Sequence, residues 1–160
     1  SILRAKIEQI LSKTPGSIIS INDLMQIQYL FVPVMGIDQN ELTLIFPYLF
    51  NLRKIDIAVN GLTGMLDFYG KDLMEEIYIS GNTGFSVTNI PAGIRRFFAE
   101  DSNVQMIEFY KLKNALNVEA VSVHHNYLIT SLTFLSKTTH LNLNEVNVEY
   151  GVRSIWNVLT

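Results

Sequence analysis

Cysteine is absent from the 160-residue chain, which excludes disulfide frameworks, cysteine zinc sites and thiol nucleophiles. The absence leaves the compartment open, because disulfide-free domains occur both in the cytosol and outside bacteria that seldom use disulfides. Charge is scarce as well: Asp, Glu, Lys and Arg make up 17% of the residues, and the formal net charge is −3. No run of Lys and Arg occurs, so the electrostatic footprint of a nucleic-acid binder is missing and no nucleic-acid partner is expected. No apolar run approaches the roughly 18 residues of a membrane-spanning helix, so this segment is not expected to insert into a membrane. The chain opens on Ser1 without a signal peptide, as expected of a trimmed or processed segment.

What is present is apolar residue in quantity, 48% of the chain. That places the sequence outside the weakly hydrophobic, highly charged class that stays disordered. The length suits one domain with a sizeable core.

The apolar residues recur in a fixed frame. "LRKIDIAVN" from Leu52 and "MEEIYISGN" from Met74 both place apolar residues first, fourth and sixth and Asn ninth. Extended to LxxLxLxxNxL, the frame has six copies, starting at Ile27, Leu52, Met74, Ile94, Val118 and Thr138, with successive starts 25, 22, 20, 24 and 20 residues apart. Leucine-rich repeats recur every roughly 20 to 29 residues. Of the 24 residues in the first, fourth, sixth and eleventh columns, 22 are apolar; Thr138 and Gly84 are the exceptions. The ninth column is looser. Asn60, Asn82 and Asn126 keep it, Ser102 and Val146 are each followed by Asn, and Met35 departs from it.

Each repeat is expected to lay down one short parallel strand, with the apolar columns pointing into a core shared with neighbouring repeats. The Asn at the turn after the strand can hydrogen-bond backbone groups that would otherwise be buried and unpaired. Ahead of the repeats, "ILRAKIEQIL" puts Leu3, Ile7, Ile10 and Leu11 on one helical face, and "KTPGS" ends that helix. Ser20 with Asp23 three residues on predicts a capping box and a second short helix. A solenoid needs its first layer covered, so residues 1–26 are expected to form a helical N-terminal cap and residues 27–160 the repeats, as one structural domain. At the other end Trp156 is positioned to close the last layer or to meet a further domain. The predicted fold class is α/β: a right-handed leucine-rich repeat solenoid with a curved parallel β-sheet on its concave face.

The order "LRAKIEQILSK", then "INDLMQI", then "YLFNLRKIDIAVN" resembles the helical cap and repeats of the internalin-like leucine-rich repeat proteins of Gram-positive bacteria. The resemblance spans essentially the whole chain, although internalin repeats are mostly a regular 22 residues and these are irregular. It implies an extracellular protein, secreted or attached to the cell wall, whose concave face binds a host or environmental protein or glycan. The alternative is a cytoplasmic scaffold or regulatory module that docks a protein through the same face. The absence of Cys suits both.

Third, fifth and seventh positions of the frame should project from the concave sheet, because alternate strand residues face opposite sides. They bring up Tyr29, Phe31, Tyr78 and Phe98 as large aromatics facing solvent, the side chains that anchor protein interfaces and stack on sugars. Two readings stand: ligand anchors, or cross-strand contacts that support the sheet, with Tyr78 beside Phe98. Arg96, Glu100, Ser122, His124 and Asn142 set the polarity around them and complete the candidate ligand-binding set. His124 falls between Glu100 and Asn144 on neighbouring repeats, and His125 between Asp101 and Glu145, so adjacent carboxylates would favour protonated imidazole. His140 joins them on the same side. A polar ladder without function is the competing account, and no metal ligand set is expected. Lys54, Glu76 and Arg96 alternate in sign along one row, the pattern of a solvated face; Arg95 and Arg96 offer a pair for a carboxylate partner.

Enzyme motifs are missing: there is no GxSxG elbow, no phosphate-binding GxxxxGKS/T loop, no HExxH and no GxGxxG. "NGLTG" and "SGNTG" fall at turns, where glycine serves backbone geometry. A flat ladder also lacks the enclosed pocket and oxyanion donors of acyl transfer. The expectation is a binding module with neither catalysis nor cofactor.

Overall fold

The structure, a computed structural model, describes residues 1–104 and 119–122. Helix α1 (Ile2–Ile10) starts where the Ser1 side chain accepts from Arg4 N, and it buries Leu3 and Ile7. Helix α2 (Ile21–Leu24) carries the expected capping box: Asp23 N–H donates to Ser20 Oγ at 3.2 Å, and Ser20 N–H donates to Asp23 Oδ2 at 2.7 Å. Ser12, at a φ of 53°, and Gly16, at 85°, turn the chain between the two helices.

Five strands obey the frame. β1 (Tyr29–Phe31), β2 (Lys54–Asp56), β4 (Glu76–Tyr78), β6 (Arg96–Phe98) and β7 (Ala120–Ser122) each occupy its third to fifth positions. They form one parallel sheet in the order β1-β2-β4-β6-β7. The register joins equivalent positions: Leu30, Ile55, Ile77, Phe97 and Val121 stand side by side across the sheet. These five residues, with the first- and sixth-column residues from Ile27 to Ala99, are all nearly inaccessible and belong to one hydrophobic cluster. Leu3, Ile7 and Leu24 of the two leading helices belong to it too. Burying one such side chain stabilises the fold by about 2 kcal/mol, and no single repeat could enclose it alone.

The described return segments are not all alike, and the frame does not specify them. After β1 the chain forms helix α3 (Gln39–Ile45), capped by Asp38, and a 3-10 turn (Phe46–Tyr48). After β2 and β4 it forms β3 (Thr63–Asp67) and β5 (Gly84–Thr88), which pair in parallel as a second, two-stranded sheet. Gly84, the apolar-column exception, starts β5 opposite Thr63, where an added Cβ would meet the Thr63 Cγ2 at 3.1 Å. Phe85, one place on, is fully buried in its stead. The architecture is α/β with parallel strands and, among the described residues, no closed barrel. No helix among them is long and apolar enough to cross a membrane.

The first repeat shows why Met35 can replace Asn. The Asn60 carboxamide reaches back to it: Oδ1 accepts from Met35 N and Ile37 N at 3.0 and 3.2 Å, and Nδ2 donates to Val32 O at 2.8 Å. Asn60 and Asn82 thus each serve the turn of the preceding repeat as well as their own, whereas the first repeat follows the helical segment and has no repeat before it to serve. Ser102 keeps part of the pattern, its hydroxyl donating to Ile79 O and Glu100 O, both at 3.2 Å.

Candidate functional site

The third-position row runs Tyr29, Lys54, Glu76, Arg96, Ala120 and the fifth-position row Phe31, Asp56, Tyr78, Phe98, Ser122, as the frame requires. Exposure is uneven along these rows. Tyr29 and Phe31 are 58% and 56% exposed, whereas Ala120 and Ser122, in the last described strand, are 2% and 3% exposed. Ser122 therefore does not present a free hydroxyl to solvent: it donates to Glu100 Oε1. Glu100 is half-buried, with its backbone N–H held by Ser80 Oγ at 3.1 Å. His124 and Asn142, with His125, His140 and Trp156, lie outside the described residues.

In the middle of the face Tyr78 and Phe98 stack with ring centroids 5.0 Å apart and planes inclined by 21°. Both are half-buried, so cross-strand support occupies much of the surface they would offer a ligand. Lys54 Nζ lies 5.0 Å from the centre of the Tyr78 ring. The same ammonium forms an ion pair with Glu76 Oε2 at 2.9 Å, and the Tyr78 hydroxyl donates to that oxygen at 2.8 Å. Burial alone would raise the Glu76 carboxyl, but hydrogen bonds from Lys54 and Tyr78 outweigh it and hold the group below its ordinary range. Tyr78 is pushed up, first by burial and then by its bond to Glu76. Lys54 is raised chiefly by its hydrogen bond to Glu76. The centre of the face is thus a closed polar and aromatic cluster rather than a set of free groups.

Along the neighbouring second-position row, Arg53 pairs with Glu75 at 2.7 Å, and Arg95 pairs with Glu119. Arg96 also reaches Glu119, at 3.5 Å. The arginine pair thus meets a carboxylate of its own chain. Such exposed pairs are worth at most about 1 kcal/mol each.

Two features have no counterpart in the frame's columns. The eighth position is left-handed in all four described copies, with φ of 56° at Val34, 53° at Val59, 72° at Gly81 and 47° at Asp101. Valine is unfavourable there because its branched Cβ crowds the backbone. Val34 and Val59 are nevertheless 72% and 54% exposed. Gly81 alone gave a sequence signal for this turn. The second feature is Lys71, 2% exposed on the return side. Its ammonium lies 4.9 Å and 5.2 Å from the ring centres of Phe46 and Phe50 and donates to Pro47 O at 3.2 Å. Burial pushes this lysine below its ordinary range, against the pull of Asp67.

Among the described residues no group of three or more His, Asp and Glu side chains is arranged to hold a metal ion. Among the described residues, the open, apolar part of the face lies at its β1 end, around Tyr29 and Phe31.

No protein-family model and no curated protein matches this sequence. Solved structures do. The crystal structure of an internalin, InlF, from Listeria monocytogenes strain 4b F2365 superposes with a TM-score of 0.59 over 93% of this chain, at 15% sequence identity. This chain spans about half of that one, 51% of its length. A second internalin, InlC2 of the same organism, is 14% identical over 92% of each chain, with a TM-score of 0.33 that is too low to show a shared fold. The InlF likeness, with the parallel strands and their frame, makes the fold one of leucine-rich repeat kind.

Proposed function

We propose that the chain is part of a six-repeat, right-handed solenoid, and that the β1 end of its concave sheet recognises a protein ligand outside the cell without catalysing a reaction. The observation that carries this reading is the exposure of Tyr29 and Phe31, more than half open to solvent on a sheet face whose other described aromatics, Tyr78 and Phe98, are stacked together. Aromatic side chains held on a rigid parallel ladder lose little entropy on binding and supply much of the energy of protein interfaces. The resemblance to internalins supports an extracellular, secreted or wall-attached setting.

The test is a binding screen of the purified protein against arrayed cell-surface proteins, cytosolic proteins and glycans, with affinity measurements on two double variants. Tyr29→Ala/Phe31→Ala is expected to weaken the hit by about 2 kcal/mol per anchor with the fold retained. Tyr78→Ala/Phe98→Ala is expected to lose less affinity and more stability. Unchanged affinity in the first variant would remove the site from the β1 end, and a response confined to glycans would replace the protein ligand. Detection of the protein on intact cells checks the compartment; finding it only after lysis would favour an intracellular scaffold.

A further inference from the structure

Asn60 is followed by Gly61, the one Asn-Gly pair in the sequence. Asparagine is chemically labile, and most so before glycine: the backbone nitrogen of the next residue attacks the side-chain Cγ, and glycine has no Cβ to hinder the approach. Here that nitrogen is accessible. Gly61 is exposed, its N–H donates no hydrogen bond among the described residues, and an added Cβ would meet nothing within 4 Å.

The carbon it would attack is not. The Asn60 carboxamide is held by five hydrogen bonds: Oδ1 accepts from Met35 N and Ile37 N at 3.0 and 3.2 Å, and Nδ2 donates to Val32 O, Ile57 O and Ala58 O at 2.8, 2.8 and 3.1 Å. Ring closure requires the carboxamide to turn onto Gly61 N, away from partners that include Val32, Met35 and Ile37 of the preceding repeat. Asn82, at the same position of the next repeat, is fully buried and precedes Thr83, whose branched Cβ crowds the nitrogen.

We infer that Asn60–Gly61 is a latent modification site, kept closed by these hydrogen bonds and opened when the first turn separates from Asn60. Gly61 N loses its proton to solvent base and bonds to Asn60 Cγ, and the tetrahedral centre collapses with loss of Nδ2 as ammonia, leaving a succinimide. Water then adds to either ring carbonyl and breaks its bond to the nitrogen. The product is aspartate at this position, or isoaspartate with the backbone routed through Cγ. Neither can replace asparagine. The aspartate carboxylate has no N–H for the carbonyls of Val32, Ile57 and Ala58, which would face a negative charge instead of a donor. Isoaspartate also lengthens the main chain within the turn. Asn60 holds the turn of the repeat that carries Tyr29 and Phe31, so the reaction loosens that repeat irreversibly. The inference does not depend on that face binding a ligand.

The test compares the protein with the blocked peptide acetyl-Ala-Val-Asn-Gly-Leu-amide, residues 58–62, in one mildly alkaline buffer, by peptide mapping with mass spectrometry. The peptide is expected to be modified at least about tenfold faster than the folded protein, equivalent to an opening cost of about 1.4 kcal/mol or more. Guanidinium chloride is expected to bring Asn60 of the protein to the peptide's rate in the same denaturant, ahead of Asn82, and Gly61→Ala to slow that unfolded-state reaction. Asn60→Asp, which makes one product directly, is expected to have a lower Tm than the parent. Equal rates in folded protein and peptide would show that the hydrogen bonds give no protection. Asn60 left intact in denaturant would remove the site, and an unchanged Tm in Asn60→Asp would show that the turn tolerates the product. Each of these results overturns the proposal.

Discussion

The Asn82 side-chain oxygen accepts the backbone N–H of Asn60 at 3.0 Å, one repeat back, while the Asn60 side chain does the same for Met35. The two asparagines form a ladder in which each turn is held by the asparagine of the next repeat. Asn82 is fully buried and makes four such bonds, accepting from Asn60 N and Leu62 N and donating to Ile57 O and Ile79 O.

Asn82→Ala would strand two backbone donors and two acceptors beneath the turn. Leaving one buried polar group unmatched costs about 1–3 kcal/mol, so a loss of about 3 kcal/mol or more is expected in urea denaturation. Asn82→Ser, which keeps one hydroxyl in the manner of Ser102, is expected to fall between. Equal stability of all three proteins would show that water replaces the ladder.

Val59 is held at a φ of 53° with its side chain 54% exposed. Asn tolerates the left-handed region better than a β-branched residue, so Val59→Asn is expected to raise stability by about 1 kcal/mol, read as a higher Tm. Gly81, at the same position of the next repeat, is not exchangeable in this way, since a Cβ there would sit 2.9 Å from the Val59 Cγ2. If Val59→Asn also weakens ligand binding, this strained turn belongs to the interface.

The capping box gives α2 a pH response. Hydrogen bonds from the Ser20 backbone and side chain, with help from Lys13, hold the Asp23 carboxyl at about 2, below its ordinary 3.8. A folded-state value below the unfolded one means that the stabilisation is complete above about pH 4 and is lost as pH falls toward 2. Asp23→Asn is expected to remove that contribution at neutral pH and to flatten the stability profile between pH 4 and 2. An unchanged acid limb would exclude Asp23 as its source.

Lys71 predicts the opposite limb. Burial lowers this lysine from its ordinary 10.5, so the unfolded chain binds the extra proton over the interval below 10.5, and stability rises with pH across it. Lys71→Met, which fills the space between Phe46 and Phe50 without a charge, is expected to fold and to abolish the alkaline rise. A rise that persists in the variant would assign it to another group.

The repeat columns were legible in the sequence because each is a local rule restated in every repeat. An apolar residue at the fourth and sixth positions has one way to be buried when strands stack in register, so Leu30, Ile55, Ile77, Phe97 and Val121 align as the spacing requires. The α1 face and the capping box were local in the same sense. The return segments were not legible, because among the described residues the same frame comes back through helix α3 after β1 and through β3 and β5 after β2 and β4. The choice depends on what the neighbouring return segment offers to pair with.

The candidate site divides along the same line. The sequence placed Tyr29, Phe31, Tyr78 and Phe98 on one face through the period of the strand. Only the tertiary structure decided that Tyr78 and Phe98 shield each other while Tyr29 and Phe31 stay open, and that Ser122 is closed against Glu100. Exposure is a property of neighbours across the sheet, and neighbours one repeat away are distant in sequence. The caged Lys71 arises in the same way, from segments that meet only when the chain is folded.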